Sequence, residues 1–537
     1  MRNTAQRACF TCRKQKRKCT RELPECSLCL KHGRRCDYDE AIPAPTRPDV
    51  QQLPASHPHL SASSPGNTHV SPLRANGSSQ DLALPLLAQS KFPASFFLDH
   101  DVFQLLGRSI EPATVKFPLS ILDPVRDQAR IRSDVDIYFN STHTLFPIIS
   151  KTRLYREISN TGHSINADTA LLLSALHLHV QPSDDTDPSS RETYKAAKTY
   201  FSQIEASNAI SLRLLQAALL IALYEVSNAV YPMAYLTVGH CARIGHALGI
   251  HARKRAPQIS PAPASSTELE ERNRTWWAVI LLDRYVNLGG KNRPFACEDA
   301  RPDAYLPMDD VCWDQGGLTL VQPLAVSTST TVAASYFART CQAAHLLSKV
   351  LRHLNDFDTD QEFRYQEAIQ IHRTVQALSS TILLEAEEQV KKTSDSTAHL
   401  VFCTAIGLCF SALFSLYNEY SCVDKFAPEQ LKSPHLRDMQ QQAFSGLGDI
   451  CDAVLQLSAR VYAAAELGGL MKTSPLIADC LYQAAATYLW YSHETGVQEW
   501  HGKMMEIKKL LLTMGVKWKS AGEYIQLLEA YEASDKF

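Results

Sequence analysis

Several familiar signals are missing from this chain, and each absence narrows what it does. It has no G-x-S-x-G elbow, no glycine-rich phosphate loop and no H-E-x-x-H pair, so no catalytic residue is expected and the chain reads as a non-enzyme. No secretory leader precedes the first cysteines, which predicts a reducing compartment without disulfides. The sequons at Asn76 and Asn140 therefore carry no expectation of glycosylation. No sustained heptad repeat appears over residues 41–95. One apolar stretch, Ser396 to Asn418, carries no Asp, Glu, Lys or Arg over a length that could span a bilayer. Its His399, Thr404, Ser411 and Ser415 argue for the buried helix of a helical domain instead, and no membrane partner is expected.

What is present is concentrated at the start. Cys9, Cys12, Cys19, Cys26, Cys29 and Cys36 follow C-x2-C-x6-C-x6-C-x2-C-x6-C, two near-identical halves. Each C-x2-C step brings two thiolates to one ion from a tight turn, the chemistry of tetrahedral zinc. Six ligands satisfy two such ions only if two thiolates bridge, and the repeat suggests one bridge from each half. Two Zn2+ ions are the expected cofactor. The segment is too short and too poor in apolar residues to fold without them.

Arg13-Lys14-Gln15-Lys16-Arg17-Lys18 places five cations in six residues between the second and third cysteines. Residues 1–36 carry 11 Lys+Arg against 2 acids, a net of +9; two ions and six thiolates lower that to about +7. The remainder has 43 basic and 54 acidic residues, a net of −11. A cationic head on an anionic body points the head at DNA. A disulfide knot, a bare nuclear-import signal and a purely structural zinc knot are the competing readings; none explains the basic run in register with the thiols.

These residues resemble the fungal binuclear zinc cluster transcription factors, over about 5–38. The resemblance implies that Cys9 and Cys26 bridge. Cys12 and Cys19 then complete one zinc site, and Cys29 and Cys36 the other. It also implies a cis peptide at Pro24 and a short helix in the major groove of double-stranded DNA with CGG-type half-sites. Lys16 aligns with the lysine that touches guanine edges, and Arg13, Lys14, Arg17 and Lys18 would grip phosphates. Nuclear localisation follows from the same resemblance.

Residues 41–95 hold nine of the 27 prolines among Ser, Ala, His and Gln, the composition of a disordered linker. Many members of the family carry a dimerising coiled coil here; prolines at this density would break one. The expected domains are thus 1–40, a linker over 41–95, and an all-α body over 96–537, a mostly α chain. Helices are expected to start at Ser133, at Asp168 and at Ser189-x-x-Glu192. Others are expected over 212–226, 231–249, from about 267, and over 334–354, 361–388, 436–465 and 476–493. The nine remaining cysteines are expected as buried thiols. His177 and His179 diverge on a helix, so no second metal site is expected.

Residues 270–277 (EERNRTWW), Asp283-Arg284, Arg293-Pro294 and Leu306-Pro307 resemble the fungal-specific regulatory domain of the same factors. Ala242-Arg243, Leu248-Gly249-Ile250-His251, Tyr138-Phe139 and Phe146-Pro147 add to the likeness, which covers about 130–310. One departure stands out: Asn292 occupies the place of the glycine before Arg-Pro. Trp276 and Trp277 are expected as core anchors, with Arg272, Arg274 and Asp283 in an ion network.

Together these features imply a sequence-specific transcription factor of RNA polymerase II genes, regulating a metabolic pathway such as a secondary-metabolite gene cluster. Co-activators or an effector metabolite are the expected further partners, and the protein would act as a monomer or as a dimer through the helical domain. The alternative is a small-molecule receptor or interaction scaffold localised to chromatin by its zinc head.

Overall fold

The split in charge and cysteine content is matched by the architecture of the computed structural model, which divides into two compact units, 1–79 and 80–537. It describes residues 8–9, 11–12, 18–33, 36, 92–106, 121, 127–159, 165–182, 186–252, 256–259, 262–290, 292–317 and 323–533. The predicted linker lies outside these residues as far as 91.

In the first unit, Cys9, Cys12, Cys26, Cys29 and Cys36 are the buried side chains, with Cys19 and Leu28 packed against them. Helix α1 (Ser27–Lys31) starts where the Cys26 sulfur accepts the Cys29 backbone N–H at 3.4 Å. The described residues of this unit thus bury sulfur in place of an aliphatic core.

The second unit is helical, with no strand among the described residues and one isolated bridge, Tyr305 to Ala325. Two short helices, α2 (Ser95–Leu98) and α3 (His100–Leu105), precede the body. The body opens with α4 (Gln128–Phe139) and α5 (Lys151–Ser159). Its first half then gathers around α8 (Leu212–Ser227), buried at every position from Leu214 onward. Against α8 pack α6 (Ala167–Val180), α7 (Glu192–Ala206), α9 (Met233–Leu248) and α10 (Ser266–Tyr285). After the short α11 (Asp310–Asp314), α12 (Tyr336–Asn355) packs on α10 and leads into the second half.

That half is built around α14 (Cys403–Tyr420), flanked by α12, α13 (Gln361–Thr393), α15 (Pro434–Glu466) and α16 (Ala478–Thr495). Helices α17 (Gln498–Gly515) and α18 (Lys519–Glu532) close the fold against α16. With its leading 3-10 turn, α14 forms the apolar span Ala398–Tyr420, long enough to cross a membrane by length and composition. In its most apolar window 89% is buried inside the body. A helix apolar all round belongs at the centre of a large helical domain, and α14 sits there.

Three helix starts differ from expectation. Helix α4 begins at Asp127, not Ser133, because the Asp127 carboxylate accepts both the Ala129 and Arg130 N–H groups, at 3.0 and 3.1 Å. Asp168 is not the cap of α6. It lies in the first turn after Asn166 and accepts the Ser211 hydroxyl at 2.6 Å. Ser189 does not cap α7; its hydroxyl turns to Asp187, and Arg191 occupies the cap position. Gly249 does end α9 in the left-handed region, at φ 79°.

All fifteen cysteines are free thiols. Seven of the nine in the body are buried as expected; Cys312, in the short α11 whose buried residues are Asp310 and Trp313, is half-buried, and Cys422, in the connection after α14, is exposed.

Candidate metal centre

The thiol cage is assembled from three short pieces of backbone. Cys9 and Cys12 flank the helical residue Thr11, Cys26 and Cys29 sit on either side of the first turn of α1, and Cys36 follows it. Between the halves, the Thr20 hydroxyl accepts hydrogen bonds from the Ser27 N–H and hydroxyl, both at 2.9 Å, and so closes the loop that carries Cys19. The Leu23–Pro24 peptide in that loop is cis, as the resemblance implied.

The sulfurs form two overlapping groups of four. Cys9, Cys12, Cys19 and Cys26 make one, and Cys9, Cys26, Cys29 and Cys36 the other, each with all its sulfurs within 4.8 Å of one another. Cys9 and Cys26 belong to both. Zinc at about 2.3 Å from four sulfurs sets the edge of its tetrahedron near 3.8 Å. Cys9 lies 3.8 Å from Cys26 and 3.7 Å from Cys29, and Cys12 lies 3.7 Å from Cys26. The pair from different groups, Cys12 and Cys29, stands at 3.9 Å. A soft, all-sulfur donor set at tetrahedral edge length fits zinc.

The electrostatics fit as well. Burial pushes the Cys9, Cys12 and Cys29 thiols up. It also opposes ionisation of Cys26, but there the Cys29 N–H and neighbouring thiols outweigh it and hold Cys26 down at about 6. Crowded thiols cannot all ionise unless cations join them, so a cage of this density calls for metal. Of the expected DNA-contacting residues, Lys18 is exposed beside Cys19. Arg13, Lys14, Lys16 and Arg17 lie outside the described residues.

In the body, the residues of the second resemblance act as staples. Arg274 is fully buried, with Glu270 at 2.8 Å, Asp310 at 2.6 Å and the Met308 carbonyl at 2.8 Å, over the ring of Trp313. This fastens α10 to the loop at Leu306-Pro307. Arg272 pairs with Glu268 at 2.7 Å, and Asp283 belongs to a network apart from that of Arg274. It accepts the Ala296 and Cys297 N–H groups and pairs with Arg284, which reaches Asp299 at 3.0 Å. Two helical turns separate Asp283 from Arg274 along α10, so one network could not hold both.

Trp277 is buried and donates to the Tyr305 carbonyl, whereas Trp276 is half-buried and lies against Gly245. Asn292 adopts φ 60°, the left-handed conformation that a glycine takes freely and Asn tolerates best among the rest. Glu271 was not legible as a key residue, because its partners Arg153, Arg213 and Gln216 come from distant segments. His177 pairs with Asp134 while His179 bonds the Leu220 carbonyl, so the two do diverge.

Residues 7–45 match the fungal Zn(2)-Cys(6) binuclear cluster domain, and residues 135–396 the fungal specific transcription factor domain. A transcription factor of Botryotinia fuckeliana (BOA15) is 37% identical over 180 residues, 34% of this chain and 98% of that protein. The chain belongs to the fungal zinc cluster transcription factors. Among other members of this zinc cluster family, the depudecin biosynthesis cluster-specific transcription activator of Fusarium langsethiae is 24% identical, over 53% of this chain and 56% of its own length. A citrinin biosynthesis transcriptional activator of Monascus ruber is 22% identical, over 58% of this chain and 65% of its own. The match thus spans nearly all of the first relative but less than two thirds of the other two.

Proposed function

We propose that this protein is a nuclear, sequence-specific regulator of RNA polymerase II genes whose zinc cluster reads CGG-type triplets, and that its targets form a secondary-metabolite gene cluster. Cys9 and Cys26 bridge two Zn2+ ions; Cys12 and Cys19 complete one site, Cys29 and Cys36 the other. The observation that carries this reading is the pair of four-thiol groups sharing Cys9 and Cys26, in chain continuity with the cationic run 13–18. When bound, zinc supplies the folding energy that a forty-residue head cannot draw from an apolar core.

The rest falls to the side chains. Lys16 donates to guanine O6 and N7, the commonest specific base contact, while Arg13, Lys14, Arg17 and Lys18 set register on phosphates. The cluster-specific relatives support the assignment of targets, since two of them act on single biosynthetic pathways by name. The domain limits follow the same logic: a head over 1–40, a linker over 41–95 and a regulatory body over 96–537.

Selection from a random duplex library with zinc-loaded full-length protein tests the reading. Two CGG triplets enriched at one spacing are expected for a dimer joined through the helical body, and one isolated triplet for a monomer. A library left unenriched would refute sequence-specific recognition.

A further inference from the structure

One face of α5 and the first turns of α6 and α8 enclose a solvent-open cavity of about 340 Å3 that the DNA-binding reading leaves unused. Its size falls within the range of small-molecule sites, but such sites are mostly apolar, and all seven residues that line this one are polar. Three are guanidiniums, Arg153, Arg156 and Arg213, and two are carboxylates, Glu157 and Asp168.

These charges fall into two sets. Arg213 donates to Glu157 at 2.9 Å and to the buried Glu271 at 3.0 Å, and Arg153 pairs with Glu271 as well. That set is balanced, two cations with two anions, and it ties α5, α8 and α10 together. The other two charges stand apart from it. Arg156 is exposed, three residues beyond Arg153 on the same face of α5, and among the described residues it forms no ion pair. Asp168, on α6, accepts the Ser211 hydroxyl at 2.6 Å and the Thr169 N–H at 2.8 Å. Both donors are neutral, and each carboxylate oxygen keeps a second lone pair. Asn166 adds an uncommitted amide. It holds the cap position of α6, where Asn ordinarily accepts a backbone N–H, yet its side chain makes no such bond and lines the cavity.

We propose that this cavity is an effector site for a small zwitterion, an α-amino acid with a short or polar side chain, whose carboxylate pairs with Arg156 and whose ammonium pairs with Asp168. Hydrogen bonds between ionised partners are the strong ones, and the Asn166 amide serves the polar side chain. Charge selects this class. A simple anion meets Glu157 and Asp168 along with the arginines, an amine meets three guanidiniums, and an apolar molecule finds no apolar residue in the lining. A molecule that carries both charges answers both unpaired groups. Bound there, it joins α5 to α6 and stabilises the folded body by mass action. That occupancy alters transcription rests on the reading of this protein as a regulator; the binding itself does not.

Thermal unfolding of the zinc-loaded full-length protein tests this, with each L-α-amino acid in turn as the probe at millimolar concentration. Lactate, which lacks the ammonium, and ethanolamine, which lacks the carboxylate, are the controls. At least one amino acid is expected to raise the transition of the body, and neither control to do so. Arg156→Gln and Asp168→Asn are each expected to raise the concentration needed for that response about tenfold or more. Among the described residues Arg156 has no ion pair to lose, so the transition of the unliganded Arg156→Gln protein is expected to stay in place, which separates lost binding from lost folding. A transition that no amino acid moves overturns the proposal. So do variants that respond as the unsubstituted protein does, or a control that acts as strongly as the amino acid. Failure of the library selection beside an amino-acid-dependent transition would count against the triplet reading and leave the site standing.

Discussion

Cys26 caps α1 with its sulfur and belongs to both four-thiol groups, so its removal takes more than a single ligand. Cys26→Ala is expected to bring bound zinc from two ions to none and to abolish DNA binding, while Cys36→Ala, confined to one group, retains part of the metal. Metal analysis of the purified proteins distinguishes the two; equal loss in both would contradict the sharing. The cationic run separates in the same way. Lys16→Ala is expected to lower discrimination between CGG and a mismatched triplet by about 1–3 kcal/mol. Lys18→Ala should weaken binding evenly across sequences and reduce the salt slope by about one. Titrations on matched and mismatched duplexes at several salt concentrations read both. At this scale the sequence was informative because thiolate chemistry is local: two residues between cysteines set a sulfur pair without help from the rest of the fold. Glu271 was hidden for the opposite reason, its cationic partners lying more than fifty residues away.

Helices α14 and α15 cross closely at Gly446, where an added Cβ would meet the Tyr417 ring at 2.6 Å. Tyr417 cannot retreat freely, because its hydroxyl is bonded to His372 Nδ1 at 3.0 Å. Gly446→Ala is therefore expected to destabilise the body by about 1–3 kcal/mol through overpacking. Gly448, one turn-face away on the same helix, has no atom within 4 Å of an added Cβ. Gly448→Ala should be neutral or stabilising by up to about 1 kcal/mol, the difference in helix propensity. Urea midpoints of the two variants give the comparison, and equal shifts would refute the close crossing. Periodicity made α8, α12, α13, α15 and α16 legible to within a few residues, since one apolar face must be buried whatever it meets. The starts of α4, α6 and α7 were not legible, because a polar side chain near a helix end chooses between the cap and a partner brought in by the fold. Asp168 takes Ser211, 43 residues away, and the cap goes without it.

Across the whole molecule, two units of different construction should fail under different conditions. Burial holds His179 and His345 neutral, each pulled down to about 4, with Lys517 adding to the effect at His179 and Lys349 at His345. Both sit below the unfolded value near 6.5, so the unfolded chain binds more protons once pH drops beneath it. Their contribution is complete above about pH 6.5 and is lost progressively toward pH 4. At pH 5 each ring should cost the body about 1–2 kcal/mol, the lower figure allowing for the solvent it still meets. Urea midpoints of the body at pH 7 and pH 5 check the sign, and a body more stable at pH 5 would contradict it. Chelation at neutral pH strikes the other unit. The head buries thiols in place of an aliphatic core, whereas the body buries apolar helix faces continuously from Ile121 to Leu528. Excess chelator at pH 7.5 is thus expected to abolish DNA binding while the far-ultraviolet helical signal and the thermal transition of the body persist. A transition of the body that moved with metal content would show that the head's zinc also stabilises the helices, and the division into a metal-built reader and a self-sufficient regulatory body would fall.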